Sequence, residues 1–192
     1  MMCRRISGWL IKCGVIGQEE QELYEYAIHS LILEIAPIIL VGIFGILMGA
    51  MLQGIILIVP FMLIRKFSGG FHAKHEIYCL VTSSMLLMLC VWFAKHLEVG
   101  VLLSTLTFLS GGMLMVLSPI DSENRRLDED EKKHCKKRTG ILTVVFGLLY
   151  AILAFWKQDF YAVPISIGIL LTAGLQLPYL VKKCLSRRKY EE

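Results

Sequence analysis

The sequence is poor in charged residues. Only 19% of its 192 residues are Asp, Glu, Lys or Arg, whereas 56% are hydrophobic and the mean hydropathy is +0.63. A soluble domain usually carries about a quarter charged residues. Because the excess apolar residues are segregated into long runs, the composition indicates a bilayer protein rather than a soluble domain with a large core.

The sequence shows neither the pattern of a cleavable signal peptide nor that of a structural zinc site. The basic N-terminus lacks a continuous apolar stretch with a small-residue cleavage site, so we expect the first residues to remain in the mature protein. The six cysteines form no CxxC pair, and no Cys/His cluster has the spacing of a structural zinc site. A zinc site built from His72, His75 and Cys79 is an alternative without a recognised spacing. We therefore expect neither a metal nor a cofactor.

Long apolar runs divide the chain. Residues 31–64 contain one charged residue, Glu34, and a single helix of that length would measure about 51 Å, against a hydrocarbon core of roughly 30 Å. Two short spans that turn near residues 49–54 fit better. Four more apolar runs follow, at 78–94, 99–117, 141–156 and 161–181. The sequence predicts an all-α integral membrane protein with about six short transmembrane helices.

The cations predict the orientation of these spans. With six spans, residues 1–30, 65–77, 118–140 and 182–192 lie on one side of the membrane, and they contain 18 of the 20 Lys and Arg residues. The other side has only Lys95 and Lys157. The positive-inside rule then predicts that both termini are cytoplasmic.

The chain is expected to have three parts. Residues 1–30 mix apolar and charged side chains at loosely helical spacing, which is typical of amphipathic helices at the membrane interface. Residues 31–181 form the transmembrane domain, and residues 182–192 form a basic cytoplasmic tail. The charged run at 121–138 is interpreted as a mobile loop of mixed charge.

One polar stretch between apolar runs has the residues of a nucleophilic site: RKFSGGFHAKHEIYC, residues 65–79. A thiolate attacks carbonyls, and a free cysteine with a pKa of ~8.5 needs a nearby base or positive charge to form it. On a continuous helix His75 would be the i,i+4 neighbour of Cys79, whereas His72 would lie about 10.5 Å away. The glycines before His72 favour a loop, from which its imidazole could reach the thiol. Spacing alone favours His75.

Other residues offer alternatives. Cys135, in KKHCKKR, is a rival activated thiol by local charge. Cys90, in the middle of an apolar run, is interpreted as a small core residue. Glu34 inside the first apolar run is either functional or placed near the interface beside a polar neighbour.

The stretch at 65–79 resembles the signature of the accessory gene regulator B family, the AgrB membrane cysteine peptidases of Gram-positive quorum sensing. The family's Arg, its Gly-Gly-x-His and its Cys seven residues later match Arg65, Gly69-Gly70-Phe71-His72 and Cys79. The segment SPIDSENRRL (118–127) is similar to the family's Pro-containing segment after the fourth span. This resemblance implies that His72, rather than His75, is the partner of Cys79.

The resemblance also implies an activity. The family cleaves the C-terminal tail from an AgrD-type precursor peptide through an acyl-enzyme thioester and closes the remainder into a thiolactone or lactone. Cys79 and His72 would be catalytic, and Arg65, Gly69 and Gly70 would contact the substrate or support the transition state. His75 and Glu76 are candidates for a supporting role.

The apolar runs and the cations predict a multi-pass location in a bacterial cell membrane, in contact with lipids, with the site at the cytoplasmic face. The resemblance adds a homodimer as the expected assembly, and no nucleic-acid partner is expected. A non-catalytic transporter or peptide exporter is the alternative, and it predicts that Cys79 is replaceable while Glu34 is not. A structural membrane scaffold predicts that neither residue matters.

Overall fold

The computed structural model describes residues 2–14, 16–68, 76–120 and 128–177. Side chains are described in these ranges except at 2–4, 12, 26, 29–30, 33–34 and 76–81. These described ranges contain seven α-helices: α1 (Met2–Lys12), α2 (Gln21–Met48), α3 (Met51–Ser68), α4 (Glu76–His96), α5 (Val101–Leu117), α6 (Glu129–Phe155) and α7 (Asp159–Gly174). A 3-10 turn at Gln18–Glu20 precedes α2. The described residues contain no strand, so the all-α prediction is confirmed.

The helices have the length and surface of membrane segments. Met51–Ser68 and Glu129–Phe155 are long and apolar enough to cross a membrane, and Ile35–Met48, Val101–Leu117 and Asp159–Gly174 are shorter apolar helices. Large apolar side chains lie exposed along them, including Val101 at 83% and Phe155 at 82%. Extensive exposed apolar surface is rare on soluble monomers and expected against lipid. The number of spans and the side of each terminus stay predictions.

The first of two compact units comprises Met1–Leu40. Glu25, near the start of α2, accepts hydrogen bonds from the Ser7 hydroxyl and from the side-chain amide of Gln21, each over 3.0 Å. The Ser7 side chain is fully buried. The bond from Ser7 holds α1 against the start of α2. Helix α2 is continuous from Gln21, so the predicted interfacial region and first span share one helix.

The second unit comprises Val41–Glu192, and α7 is at its centre. Helix α7 packs against α3, α4, α5 and α6. It buries 11 of its 16 residues, whereas the longer α6 buries three of 27. The core includes Ile64, Leu114, Tyr150 and Ile169. Within this unit, α7 is therefore the internal helix against which α3, α4, α5 and α6 pack.

The turn between α2 and α3 confirms the predicted break near residues 49–54. Gly49 has φ +61°, a conformation that suits glycine, and its N–H donates to the Ile46 carbonyl. The Ala50 N–H donates to the Gly45 carbonyl over 2.7 Å. Lys95, near the end of α4, donates to the Met48 carbonyl over 2.6 Å. The ends of α2 and α4 therefore meet.

The predicted mobile loop is wrong over residues 129–138, which form the start of α6. The Asp128 side chain accepts a hydrogen bond from the Glu129 N–H, and the first turn is acidic. An acidic first turn followed by cations complements the helix dipole. Residues 121–127 lie outside the described residues.

Candidate functional site

The predicted nucleophilic stretch lies at the junction of α3 and α4. Its first four residues, 65–68, form the last turn of α3, and its last four, 76–79, begin α4. Glu76 and Cys79 are helical, and their side chains lie outside the described residues. Gly69, Gly70, His72 and His75 also lie outside them. Helices α3 and α4 pack together, and the predicted stretch includes the seven residues that connect them.

Two guanidinium groups lie near the end of α3. The Arg65 guanidinium lies over the Phe61 ring, 5.4 Å from its centre, and the Arg138 guanidinium of α6 lies over the Phe67 ring at 5.2 Å. Both distances are within the range of cation–π attraction. The start of α6, predicted to be a loop, thus brings a second arginine to the helix end that carries Arg65.

A buried polar junction lies at the same helix end. The carbonyl oxygen of Ser68 accepts hydrogen bonds from the Ile120 N–H over 3.0 Å and from the side-chain amide of Gln176 over 3.4 Å. The Gln176 amide also donates to the Ser118 hydroxyl over 2.9 Å. Ser68 and Gln176 are fully buried, and Ser118 is 3% exposed. Three helix ends, those of α3, α5 and α7, therefore meet at one carbonyl.

The polar junction is not predicted by the sequence motifs. Gln176 is the one side-chain amide in the apolar run at 161–181. Ser118 begins the Pro-containing segment. A buried amide is costly in an apolar run, so Gln176 was a signal in the sequence that something polar lies beside it.

The described cysteines have different surroundings. Cys90 is 7% exposed, which confirms its interpretation as a core residue. Cys135 is partly exposed and lies in α6 rather than in a loop, and Cys13 is exposed. The described part of the chain contains no group of three or more His, Cys, Asp or Glu residues that could hold a metal.

In the part of the chain that the structure describes, two membrane-length apolar helices, shorter apolar helices and exposed apolar faces indicate a membrane protein. The chain belongs to the accessory gene regulator B family, whose profile matches residues 3–177. The match covers the whole stretch at 65–79 and also Ser118 and Gln176. The resemblance found in the sequence is thereby confirmed, and it connects the chain with quorum-sensing peptide processing by the accessory gene regulator system.

Curated relatives carry the same family name. AgrB-like protein 2 of Clostridium perfringens strain 13 is 25% identical over 171 residues, 82% of this chain and 79% of the relative. An AgrB-like protein of C. perfringens strain SM101 is 24% identical over 145 residues, 71% and 67% of the two chains. The accessory gene regulator protein B of Staphylococcus saprophyticus is 24% identical over 124 residues, 64% of each chain. No solved structure matches the chain significantly.

Proposed function

We propose that the protein is a membrane cysteine endopeptidase that cleaves and cyclises an AgrD-type precursor peptide. The observation that carries this proposal is the family match, because it spans Arg65, His72 and Cys79 at the spacing of the family signature. The position of this stretch at the end of two packed helices supports it further. Sites of this kind need a nucleophile and base held on rigid elements.

In the first step the Cys79 sulfur attacks a backbone carbonyl of the precursor. His72 takes the thiol proton and gives it to the departing amine as the peptide bond breaks. The products are an acyl-enzyme thioester and a free C-terminal tail. Glu76 and His75 are assigned to orienting the His72 imidazole, and Gly69 and Gly70 to letting the backbone approach the substrate.

In the second step a Cys or Ser side chain of the bound peptide attacks the thioester carbonyl. Its proton passes through His72 to the Cys79 sulfur, which leaves as the thiol, and the peptide closes into a thiolactone or lactone. Forming a thioester from an amide is uphill, so loss of the tail must draw the reaction forward. Water must also be kept from the thioester, which a site among apolar helices favours.

The cations near the end of α3 suit an acidic precursor tail. Arg65 and Arg138 both lie against rings of α3, which limits the freedom of their side chains and fixes where their charge lies. We assign Arg65 to the substrate or to the developing oxyanion, and Arg138 to the tail. Opposite charges of this kind mainly speed association and align the substrate.

We infer a six-span topology with cytoplasmic termini, from α2 to α7. The polar junction joins the ends of α3, α5 and α7, and the Lys95–Met48 contact joins the ends of α2 and α4. Six alternating spans would place the ends of α3, α5 and α7 on one side of the membrane and the ends of α2 and α4 on the other. The side that holds residues 65–79 is also the cation-rich side, which supports a cytoplasmic site for a homodimer in the bacterial membrane.

The test is mass spectrometry of cells that co-express this protein with a candidate precursor encoded beside its gene. Native protein is compared with Cys79→Ala and His72→Ala variants at equal membrane abundance. We expect a truncated product lighter than the linear fragment by one water, present with native protein and absent with both variants. The Cys90→Ala variant is the matched control, since Cys90 is a buried core thiol, and it should retain product.

The other outcomes discriminate between the alternatives. Product that persists in Cys79→Ala would place the nucleophile elsewhere, and Cys135→Ala would then be tested. An unprocessed precursor that is nevertheless exported, with export lost on replacing Glu34, would favour the transporter. If no variant changes either the processing or the export of the precursor, the scaffold is favoured.

A further inference from the structure

One face of α6 carries exposed apolar side chains along the whole apolar part of the helix. They recur every three or four residues, as side chains on one helix face do, and each is 45% to 82% exposed: Ile141, Val144, Leu148, Ile152 and Phe155. We call this set the outer stripe. The buried side chains of α6 lie on the opposite face: Thr139, Thr143 and Tyr150. In a helix that crosses a membrane, an exposed apolar stripe faces lipid.

Two lysines continue the outer stripe beyond its apolar end. Lys137 precedes Ile141 by four residues, and Lys133 precedes Lys137 by four, so both lie on the face of the stripe. Helix α6 is continuous through them, since it begins at Glu129. Both side chains are exposed, that of Lys133 by 76%. One helix face therefore changes from apolar to cationic without a break.

The position of these lysines along α6 matches the headgroup layer of a bilayer. The apolar part of the helix, residues 139–155, is about 26 Å long, close to the roughly 30 Å of a hydrocarbon core. Lys137 lies about 3 Å beyond it along the axis, within a headgroup layer of roughly 5–8 Å, and Lys133 lies about 9 Å beyond it, at the outer edge of that layer. The acidic residues 129–131 lie about 12–15 Å beyond. The cations of α6 are therefore closer to lipid phosphates than its carboxylates are.

The two lysines differ in how far their charge is already balanced. The Lys133 ammonium lies 3.5 Å from the Asp130 carboxylate, and both side chains are highly exposed. Such exposed ion pairs are weak. Among the described residues, Lys137 has no carboxylate partner. Its charge is therefore available to an anion from outside the chain, and Lys137 is the stronger of the two candidate contacts.

We propose that Lys137 and Lys133, together with the adjoining outer stripe, form a site for an anionic phospholipid. The phosphate meets the two lysines, and an acyl chain lies along Ile141, Val144 and Leu148. A phospholipid fits this surface better than an acidic peptide or free phosphate does, because it covers the apolar and the cationic part together. The inference needs α6 to cross the membrane, and it does not need the protein to process a peptide.

The test measures lipid binding by purified full-length protein without a precursor. Protein in micelles is titrated with anionic dioleoylphosphatidylglycerol or with neutral dioleoylphosphatidylcholine, and native mass spectrometry counts the bound lipids. The variants are Lys137→Gln and the double variant Lys133→Gln/Lys137→Gln. The control is Lys136→Gln, which removes the same charge from an exposed lysine on the inward face, seven residues before Thr143.

We expect native protein to bind phosphatidylglycerol more tightly than phosphatidylcholine. Lys137→Gln should raise the Kd for phosphatidylglycerol about fivefold, the usual effect of one cation at an anionic membrane surface, and the double variant should raise it further. Lys136→Gln should keep the native affinity, and no variant should change the affinity for phosphatidylcholine. Because these lysines are exposed, their replacement should leave the fold intact, which thermal unfolding checks.

Three results would overturn the proposal. Equal affinity of native protein for the two lipids would show that the headgroup is not recognised. Equal losses in Lys136→Gln and Lys137→Gln would show a general effect of positive charge rather than a site beside the outer stripe. Displacement of phosphatidylglycerol by hexaglutamate or by glycerol 3-phosphate at similar concentrations would show a site for acidic peptides or for free phosphate.

Discussion

Gly168 in α7 lies against the backbone of Leu57 in α3, so closely that a Cβ on Gly168 would be 2.7 Å from the Leu57 carbonyl oxygen. The same Cβ would lie 2.7 Å from the Pro60 ring. Neither the backbone nor a proline ring can rotate away, so these two helices pack at a distance that only glycine permits.

Replacing Gly168 with alanine should therefore separate α7 from α3. We expect the free energy of unfolding to fall by about 1–3 kcal/mol, the usual range for overpacking a tight contact. Denaturant titration in micelles measures this change. The control is Gly147→Ala in α6, where a Cβ meets nothing within 4 Å. That change should be neutral or stabilise by up to about 1 kcal/mol, and equal losses in both variants would contradict the prediction.

Thr139→Val should be neutral or stabilising. The Thr139 hydroxyl is fully buried and has no partner among the described residues. Replacing an unpartnered hydroxyl by a methyl of the same shape removes a desolvation cost, which we expect to raise the free energy of unfolding by about 1 kcal/mol. Thermal unfolding in micelles reports the change.

Thr107→Val is the matched control for that prediction. The Thr107 hydroxyl donates to the Leu103 carbonyl over 2.7 Å and lies 2.5 Å from the Ser166 hydroxyl of α7. Its loss leaves the buried Ser166 without this partner, so we expect a destabilisation of about 1–3 kcal/mol. A destabilised Thr139→Val would mean that its hydroxyl has a partner in the membrane.

Arg138→Gln should weaken precursor binding. If the Arg138 guanidinium attracts the acidic tail, its loss should raise KM for the precursor about fivefold, equivalent to about 1 kcal/mol, with little change in kcat. Processing assays at low salt measure both constants, and added salt should reduce the difference. Lys157→Gln, at a cation in the turn before α7, is the control and should leave KM unchanged. A lower kcat with unchanged KM would assign Arg138 to the reaction itself.

The cysteines should differ in their reaction with a polar maleimide. Cys13 is exposed and should react within the folded protein, whereas Cys90 should react only after unfolding, because it is buried between helices. Peptide mass spectrometry after a timed reaction distinguishes them. Rapid labelling of Cys90 in the folded protein would contradict its place in the core.

The helices could largely be predicted, because apolar runs and turn residues specify them locally. The run at 99–117 corresponds closely to α5 (Val101–Leu117), which begins after Gly100 and ends before Ser118-Pro119. The start of α6 was missed because its charge suggested solvation. Its Asp128 cap and acidic first turn were nevertheless present in the sequence.

The site could be predicted only in part. The spacing from Arg65 to Cys79 carries the candidate chemistry, because those residues are close along the chain. The approach of Arg138 to Phe67 and of Gln176 to Ser68 depends on how α6 and α7 pack against α3. No local pattern specifies contacts between residues 71 and 108 positions apart.

The polar junction also has a consequence for biosynthesis. It joins residues at the ends of α3, α5 and α7, and Gln176 lies just after the last of these helices. A nascent chain that has left the ribosome only as far as α6 already contains Arg65, His72 and Cys79, but it lacks the amide that holds Ser68. The polar contacts of the Ser68 carbonyl at the end of α3 are therefore completed only after α7 has inserted.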